Sequence, residues 1–249
     1  MAEGLEQKMS DDLTENDVHV WYCYCDDPEV VSHRDDYLSL LSAEEVARYQ
    51  RFAFDKDRSL FLVARALLRT TLSRYAETAP GAWKFEQTAK GKLFLSGESA
   101  APPLRFNISH SQREAVCAVT RRRTVGVDVE WTRRQADQKT VTYFLSESEL
   151  SHYHDAEGEG RRELFYRYWT LKEAYAKAVG VGLALRFTEF SFHLDEHVPP
   201  TVALASPAET SAWQFHQQPL PPDYWLAVAA ECPSSSPLAF TVRCSAPTL

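Results

Sequence analysis

The sequence predicts an α+β fold, in which strands are grouped apart from helices. Between residues 57 and 77 the apolar residues recur every three or four positions, as in an amphipathic helix. A second long helix is predicted over Arg161 to Val179, closed by Gly180 and Gly182. The strand-like runs lie in groups between and after these helices, which favours α+β over a regularly alternating α/β fold.

The first half of the chain is expected to place a strand, two helices and further strands in sequence. Ser42, followed three residues later by Glu45, is a capping-box pattern that begins a short helix. The predicted strands of this first half, rich in β-branched and aromatic residues, are Val18 to Cys25, Trp83 to Gln87, Lys92 to Leu95, Phe106 to His110 and Glu114 to Thr120.

The second half repeats this order without a recognisable sequence repeat. Ser146 and Glu149 form another capping-box pattern ahead of the second long helix. The predicted strands of this second half are Val125 to Glu130, Phe187 to Leu194, Trp213 to Gln217, Tyr224 to Ala230 and Phe240 to Cys244. We therefore divide the chain into a loose tail (1–17), an N-terminal α+β half (18–120) and a C-terminal α+β half (121–244).

Composition excludes several classes of function. The 249 residues carry 27 Lys and Arg against 35 Asp and Glu, a net charge of −8, which argues against nucleic acid as a partner. The five cysteines are scattered without a CxxC pair, and the acidic, polar N-terminus does not resemble a signal peptide. No run approaches 18 apolar residues. We expect a cytoplasmic protein with no membrane partner.

Two acids alternate with valines in Val125-Gly126-Val127-Asp128-Val129-Glu130. On a strand, the valines would share one face, and Asp128 and Glu130 would lie side by side on the other. The simpler interpretation is a solvated strand face. The functional one is a hard-oxygen site, because adjacent carboxylates repel unless a cation such as Mg2+ lies between them.

The second long helix places Trp169, Glu173 and Lys177 on one face, since they are spaced by four residues. An ordinary (i, i+4) Glu–Lys pair that stabilises the helix is the simpler interpretation. The alternative interpretation is that the carboxylate and the ammonium face a substrate.

The segment Asn107-Ile108-Ser109-His110-Ser111 is interpreted as a polar loop, a nucleophilic serine or a phosphate-binding edge. Adjacent Ser and His cannot form a catalytic pair, and the Gly-x-Ser-x-Gly pattern of hydrolases is absent from the sequence. Phosphate contact is the better interpretation.

Together the segments FNISHS (106–111), GVDVE (126–130) and WTLKEAYAKAVGVGL (169–183) resemble the signature of the Sfp-type 4′-phosphopantetheinyl transferases in order and spacing. The resemblance implies a pseudo-dimer of two similar α+β halves, each a small antiparallel sheet on a long helix, with the active site in the cleft between them. It also implies Mg2+-dependent transfer of 4′-phosphopantetheine from coenzyme A to a serine of an apo carrier protein, with release of 3′,5′-ADP.

By this resemblance Asp128, Glu130 and Glu173 would hold Mg2+, with Mn2+ as an alternative. Glu173 would also be the base for the serine hydroxyl, and Lys177 would contact phosphate and neutralise the charge of the leaving group. The coenzyme A contacts implied by the resemblance are Arg48, Lys92, Ser109, His110 and Lys177.

The expected partners are coenzyme A and apo acyl, peptidyl or aryl carrier proteins, and the expected state is a monomer, because one chain supplies both halves of the cleft. Two alternatives stay open. One is a binding module for coenzyme A or carriers without chemistry, and the other is a Mg2+-dependent hydrolase of a nucleotide pyrophosphate.

Overall fold

The structure, a computed structural model, describes residues 12–96, 103–180, 185–195, 197–204, 212–232 and 237–249. The α+β fold class is confirmed. The first half comprises β1 (Asp17–Tyr24), α1 (Pro28–Ser32), α2 (Arg34–Ser39), α3 (Ala43–Gln50), α4 (Asp55–Ser73), β2 (Phe85–Gln87), β3 (Leu93–Leu95), β4 (Leu104–Ser111) and β5 (Glu114–Arg121). The second half comprises β6 (Val125–Trp131), α5 (Gln138–Phe144), α6 (Glu147–Asp155), α7 (Gly158–Val179), β7 (Ser191–His193), β8 (Thr201–Ala203), β9 (Trp213–Leu220), β10 (Tyr224–Glu231) and β11 (Ala239–Cys244).

Each half packs a sheet against its long helix. The first sheet has the strand order β11-β1-β5-β4, and the second has the order β6-β10-β9. The apolar residues of α4, such as Leu62 and Leu67, pack on Cys117 and Val119 of β5. Helix α7 covers the second sheet in the same way, with Leu171 among its buried residues.

The remaining faces of the two sheets pack against each other. Valines at 125, 127 and 129 of β6 are buried in this shared core with residues of β1, β5 and β10. The predicted alternation along β6 is therefore confirmed. Because the valines fill the core between the sheets, Asp128 and Glu130 point the other way.

Helix α7 lies unusually close to β6 at Gly126. A Cβ atom on Gly126 would lie 2.0 Å from the carbonyl oxygen of Ala174 and 2.4 Å from the backbone nitrogen of Ala178. The alanines at 174 and 178 contribute to the same closeness, because their side chains are small. This contact brings the side chains of α7 to the acidic face of β6.

The two capping-box glutamates also form ion pairs, in a similar way in the two halves. Glu45 and Glu149 each accept a hydrogen bond from the backbone N–H of their N-cap serine, which confirms both predicted boxes. Glu45 also pairs with the buried Arg69 of α4 at 2.5 Å, and Glu149 pairs with the buried Lys172 of α7 at 2.7 Å. Each short helix is thus tied to its long helix by a buried ion pair.

Strand β11 is expected to belong to the C-terminal half, because the two halves are divided at residue 120. It lies in the first sheet, where it pairs in parallel with β1, and Phe240 and Val242 pack against the core between the sheets. The first sheet is consequently mixed rather than purely antiparallel. The end of the chain contributes to the N-terminal half.

The loose tail expected over residues 1–17 also differs from the structure, as far as residues 12–17 are concerned. Residues 1–11 lie outside the described residues, but Leu13 is buried in the core of the first half. The guanidinium of Arg121 donates to the carbonyl oxygen of Leu13, and that of Arg123 donates to the carbonyl oxygen of Glu15 at 2.6 Å. Leu13 is therefore packed in the core and backbone carbonyls of this segment are bound, although the side chains of residues 14–16 are exposed.

Some predicted boundaries move. The helix expected over 57–77 ends at Ser73, and the strand expected at Phe187 begins as a 3-10 turn before β7. The ammonium of Lys172 donates to the carbonyl oxygens of Phe187 and Phe190 at the two sides of this turn. Gly180, with φ of 78°, ends α7 as predicted, whereas Gly182 lies outside the described residues.

Across the described ranges, we find no helix with both the length and the apolar character needed to cross a membrane.

The contact at Gly126 generates a stability prediction. Gly126→Ala should lower the free energy of unfolding by about 3 kcal/mol or more, because backbone atoms of α7 must move to admit the methyl group. Gly160→Ala in the same helix is the matched control, since a Cβ there meets nothing within 4 Å. It should stabilise the protein by up to about 1 kcal/mol. Urea unfolding would measure both, and equal effects of the two variants would contradict the packing argument.

Glu114 is a second unusual feature of the core between the sheets. It is 0% exposed, and neither carboxylate oxygen has a hydrogen-bond partner in the described structure. Burial raises the pKa of Glu114 to about 8, although the charge of Arg113 lowers it in part. The folded protein therefore binds a proton here between pH 4.5 and pH 8, whereas the unfolded chain does not.

The contribution of Glu114 to the free energy of unfolding should therefore be greatest below pH 4.5. It should decline as the pH rises to about 8. Relative to Glu114→Gln, the wild-type free energy of unfolding should fall by up to about 1.4 kcal/mol per pH unit across this window. Glu163→Gln, at an exposed position of α7, is the control. Parallel stability curves for wild type and Glu114→Gln between pH 5 and pH 8 would refute this assignment.

Candidate functional site

The site lies where β4 of the first sheet runs beside β6 of the second. These two strands are not joined by a hydrogen-bonded ladder, and polar side chains of β4 take its place. The side-chain oxygen of Asn107 accepts from the N–H of Val127 at 2.9 Å, and the Ser111 hydroxyl oxygen accepts from the N–H of Trp131 at 3.2 Å. The Ser111 hydroxyl also donates to Glu130 at 2.8 Å.

Ser109, Asp128 and Lys177 meet at one point of this cleft. The ammonium of Lys177 donates to Asp128 Oδ1 at 2.6 Å and to Ser109 Oγ at 2.8 Å. The Ser109 hydroxyl donates to the same Asp128 oxygen at 3.0 Å. Asp128 is only 3% exposed, whereas the Lys177 side chain is 29% exposed. Three elements, β4, β6 and α7, thus contribute one polar group each.

Glu130 and Glu173 lie close enough to Asp128 for its charge to affect them. Burial, followed by the charge of Asp128, raises the pKa of each glutamate to about 7. Burial also raises the pKa of Asp128, and this effect is opposed by the ammonium of Lys177 and the hydroxyl of Ser109. The three acids therefore share one electrostatic environment, with Lys177 as a neighbouring positive charge.

The sequence predicted that these three acids form a metal site. In the part of the chain that the structure describes, no three or more His, Cys, Asp or Glu side chains converge into a complete cluster for a metal ion. The donors nevertheless suit a hard divalent cation, because Asp128 Oδ2 is buried without a hydrogen-bond partner among the described residues.

His110 points to the opposite side of β4, towards the long helix of the first half. Partial burial and the charge of Lys177 lower the pKa of His110, and Arg65 and Arg48 contribute in the same direction. His110 therefore lies between the cationic groups of the two halves. Arg48 is exposed, with its guanidinium over the ring of Phe61 at 5.2 Å.

A basic cavity of about 830 Å³ adjoins these groups, lined by Arg48, Arg51, Arg65, Arg69 and Lys84 among others. Arg69 pairs with Glu45 and donates to the carbonyl oxygens of Pro80 and Trp83, but its Nε atom is buried without a partner among the described residues. Arg65 is 3.5 Å from Glu45, and its Nη1 atom has no partner in the described structure. Arg65 and Arg69 therefore each keep one buried nitrogen without a partner among the described residues.

Lys92 is placed differently from the cleft residues. It follows the turn between β2 and β3, and its ammonium donates to the carbonyl oxygens of Lys177 at 2.6 Å and Ala178 at 2.9 Å. Burial, with a smaller contribution from Arg105, lowers the pKa of Lys92 to about 8. Lys92 thus contacts the end of α7 and, at 3.5 Å, the carbonyl oxygen of Val125, and the sequence did not predict these contacts.

A smaller cavity, of about 280 Å³, lies on the other side of Glu130. Trp169, which shares a helix face with Glu173 and Lys177 as predicted, lines this cavity and stacks on Phe144 with a centroid distance of 3.9 Å. Phe165 and Trp131 add further aromatic surface, and Arg134 adds a charged group. The cavity is therefore a mixed aromatic and polar pocket that opens beside the acids.

Sequence reasoning did not identify two sets of residues that organise the site. Asn107 and Ser111 connect β4 to β6, and the alternation of Asn107, Ser109 and Ser111 along an extended run was the available signal. Lys172 was visible next to Glu173, but its pairing with Glu149 depends on a contact between distant segments.

Comparison with known families gives two matches that together span most of the chain. A family model described as "4'-phosphopantetheinyl transferase superfamily" matches residues 124–229. A model described as "4'-phosphopantetheinyl transferase, N-terminal" matches residues 30–122. Among solved structures, a holo-(acyl-carrier-protein) synthase from Bacillus anthracis in complex with CoA (3',5'-ADP) covers 43% of this chain and 94% of its own. It has a TM-score of 0.37 and 20% identity.

Curated relatives extend the similarity. The 4'-phosphopantetheinyl transferase HetI of Nostoc sp. is 38% identical over 173 residues, which are 69% of this chain and 72% of HetI. The 4'-phosphopantetheinyl transferase Sfp of Bacillus subtilis is 27% identical over 214 residues, covering 86% of this chain and 92% of Sfp. The match to HetI, with the family models in both halves, shows that the chain is a transferase belonging to the 4'-phosphopantetheinyl transferase superfamily.

Proposed function

We propose that this protein transfers 4′-phosphopantetheine from coenzyme A to a serine hydroxyl of an apo acyl, peptidyl or aryl carrier protein. The reaction forms an O–P bond between the serine and the phosphorus that carries pantetheine. It breaks the bond from that phosphorus to the oxygen of the 3′,5′-ADP leaving group. Mg2+ is the proposed metal, with Mn2+ as the alternative.

The observation that carries this proposal is the convergence of Ser109, Asp128 and Lys177 in the cleft between the halves. A pyrophosphate needs positive charge and hydrogen-bond donors, and Lys177 and Ser109 supply both. The two glutamates beside them supply the hard oxygen donors that a metal on a pyrophosphate requires. Each group comes from one of the three segments on which the family resemblance rests.

Asp128, Glu130 and Glu173 are the proposed residues for Mg2+. The unpartnered Oδ2 of Asp128 and the raised pKa values of both glutamates support this, because a cation would relieve their mutual repulsion. When bound, Mg2+ would neutralise charge on the pyrophosphate oxygens.

Coenzyme A phosphates are proposed to contact Ser109, His110 and Lys177. Lys177 is already aimed at the cleft, and it can exchange its bond to Asp128 for a phosphate oxygen because its side chain is partly exposed. Arg48 remains the proposed contact for the 3′-phosphate, and the basic cavity that it lines supports this.

Glu173 is the proposed base for the carrier serine. Burial and the charge of Asp128 raise its pKa to about 7 in the metal-free protein, which makes it a base suited to proton transfer near neutral pH. Direct coordination of Mg2+ would lower this pKa and make Glu173 a weaker base. The aromatic cavity beside Glu130 offers room on the same side for the pantetheine arm. Lys177 would then stabilise the charge that develops on the leaving 3′,5′-ADP.

The carrier surface, the monomeric state and the cytoplasmic location stay predictions. The basic run Arg121 to Arg123 is a weak candidate for docking a carrier, because it is engaged within the chain. Arg121 and Arg123 bind backbone carbonyls of residues 13–15, and Arg122 pairs with Glu15.

Incubation of purified apo carrier proteins with this protein, coenzyme A and Mg2+ should add one phosphopantetheine to a carrier, measured by intact mass. Asp128→Asn should lower the rate about 100-fold or more, because it removes the charge that pairs with Lys177 and holds the metal. Asp155→Asn, an exposed acid at the end of α6, is the matched control and should leave the rate unchanged. Chelation of the metal should abolish transfer.

Other outcomes would assign the chain to one of the two alternatives. Coenzyme A binding without transfer to any carrier would favour a binding module. Release of 3′,5′-ADP from coenzyme A in the absence of a carrier would favour a hydrolase.

A further inference from the structure

Lys92, which immediately precedes β3, contacts the start of β6 and the end of α7. Its ammonium lies 2.6 Å from the carbonyl oxygen of Lys177, 2.9 Å from that of Ala178 and 3.5 Å from that of Val125. Val125 is the first residue of β6, and Lys177 and Ala178 belong to the last turn of α7. A residue of the first half thus binds backbone atoms of both second-half elements that carry the proposed site.

The chemistry of this contact is favourable. The last carbonyls of a helix have no intrahelical donors, and the helix end carries partial negative charge. An ammonium can satisfy several such carbonyls at once, since it has three donors. The Lys92 side chain is partly buried there, beside Gly180, which ends α7 with positive φ.

Lys177 is held from two sides as a result. Its backbone carbonyl accepts from Lys92, while its side chain donates to Asp128 and Ser109. The Lys177 side chain projects from the last turn of α7, and Lys92 binds the free carbonyl oxygens of that turn. The direction of the Lys177 side chain therefore depends on this turn. Without Lys92, this turn would have to find water or fray.

We infer that Lys92 is a positioning residue, which fixes the last turn of α7 against the start of β6 and thereby sets the position of the Lys177 ammonium. The inference rests on the proposed function for its kinetic consequence. It assigns Lys92 a role different from the nucleotide contact that the family resemblance implies.

The test compares Lys92→Met, which keeps an aliphatic side chain and removes the ammonium, with Lys90→Met. Lys90 lies two residues earlier in the same turn and is exposed, so its variant removes the same charge without the contact. Hydrogen exchange of the backbone amides of residues 174–180 is the first readout, and it needs no activity. Exchange should be about tenfold faster or more in Lys92→Met and unchanged in Lys90→Met.

Steady-state transfer is the second readout. A displaced Lys177 should lower kcat about tenfold or more, because small displacements of a catalytic group are costly, while the KM for coenzyme A stays within about twofold. Lys92→Arg keeps the charge and should recover part of kcat. If Lys92→Met does not fold, Lys92→Gln replaces it in both readouts.

A raised KM for coenzyme A, with kcat and amide exchange unchanged, would show that Lys92 contacts the nucleotide and would overturn the inference. Unchanged exchange at 174–180 would overturn it as well, whatever the kinetics. If the wild-type protein transfers nothing, the proposed function fails, but the exchange comparison still decides whether Lys92 holds the helix end.

Discussion

The close contact between α7 and β6 at Gly126 is the constraint on which the site depends. With Ala174 O only 2.0 Å from where a Cβ would lie, a larger residue would push the helix away from the strand. Lys177 lies on α7 and Asp128 on β6, so their 2.6 Å contact exists only at this separation. A glycine in the strand is therefore part of the construction of the site, although it has no chemistry of its own.

The site also depends on how the two halves are joined. Their sheets share an apolar core on one face of β6, and the side chains of Asn107, Ser109 and Ser111 replace a ladder between β4 and β6. Hydroxyl and amide groups can bind backbone or ligand equally well. Because Ser109 already bonds to both Asp128 and Lys177, a substrate phosphate would enter an existing network rather than create one.

Buried carboxylates give the cleft its electrostatic character. Asp128 is compensated by Lys177, but Glu130 and Glu173 are raised to pKa values of about 7, where small changes in nearby charge alter their protonation. Such groups are typical of sites that bind a cation or move a proton. Glu114, with a pKa of about 8 in the core between the sheets, has no comparable cationic partner in the described structure.

Local patterns in the sequence predicted much of this arrangement. Alternation placed Asp128 and Glu130 on the face opposite the valines, and the capping boxes at Ser42 and Ser146 begin their helices as expected. These features depend on neighbours within a few residues.

What could not be predicted depends on contacts between distant segments. The ion pair of Glu149 with Lys172, the pairing of β11 with β1, and the contact of Lys92 with the end of α7 have no local signature. The placement of Glu173 beside Asp128 likewise depends on the packing of α7 against β6.

The most direct test of the account is a crystal structure of this protein with coenzyme A and Mn2+, in which anomalous scattering locates the metal. The account predicts a manganese peak contacted by carboxylate oxygens of Asp128, Glu130 and Glu173, with the Lys177 ammonium on a phosphate oxygen. Coenzyme A bound away from the β4–β6 cleft, or manganese away from these acids, would contradict it.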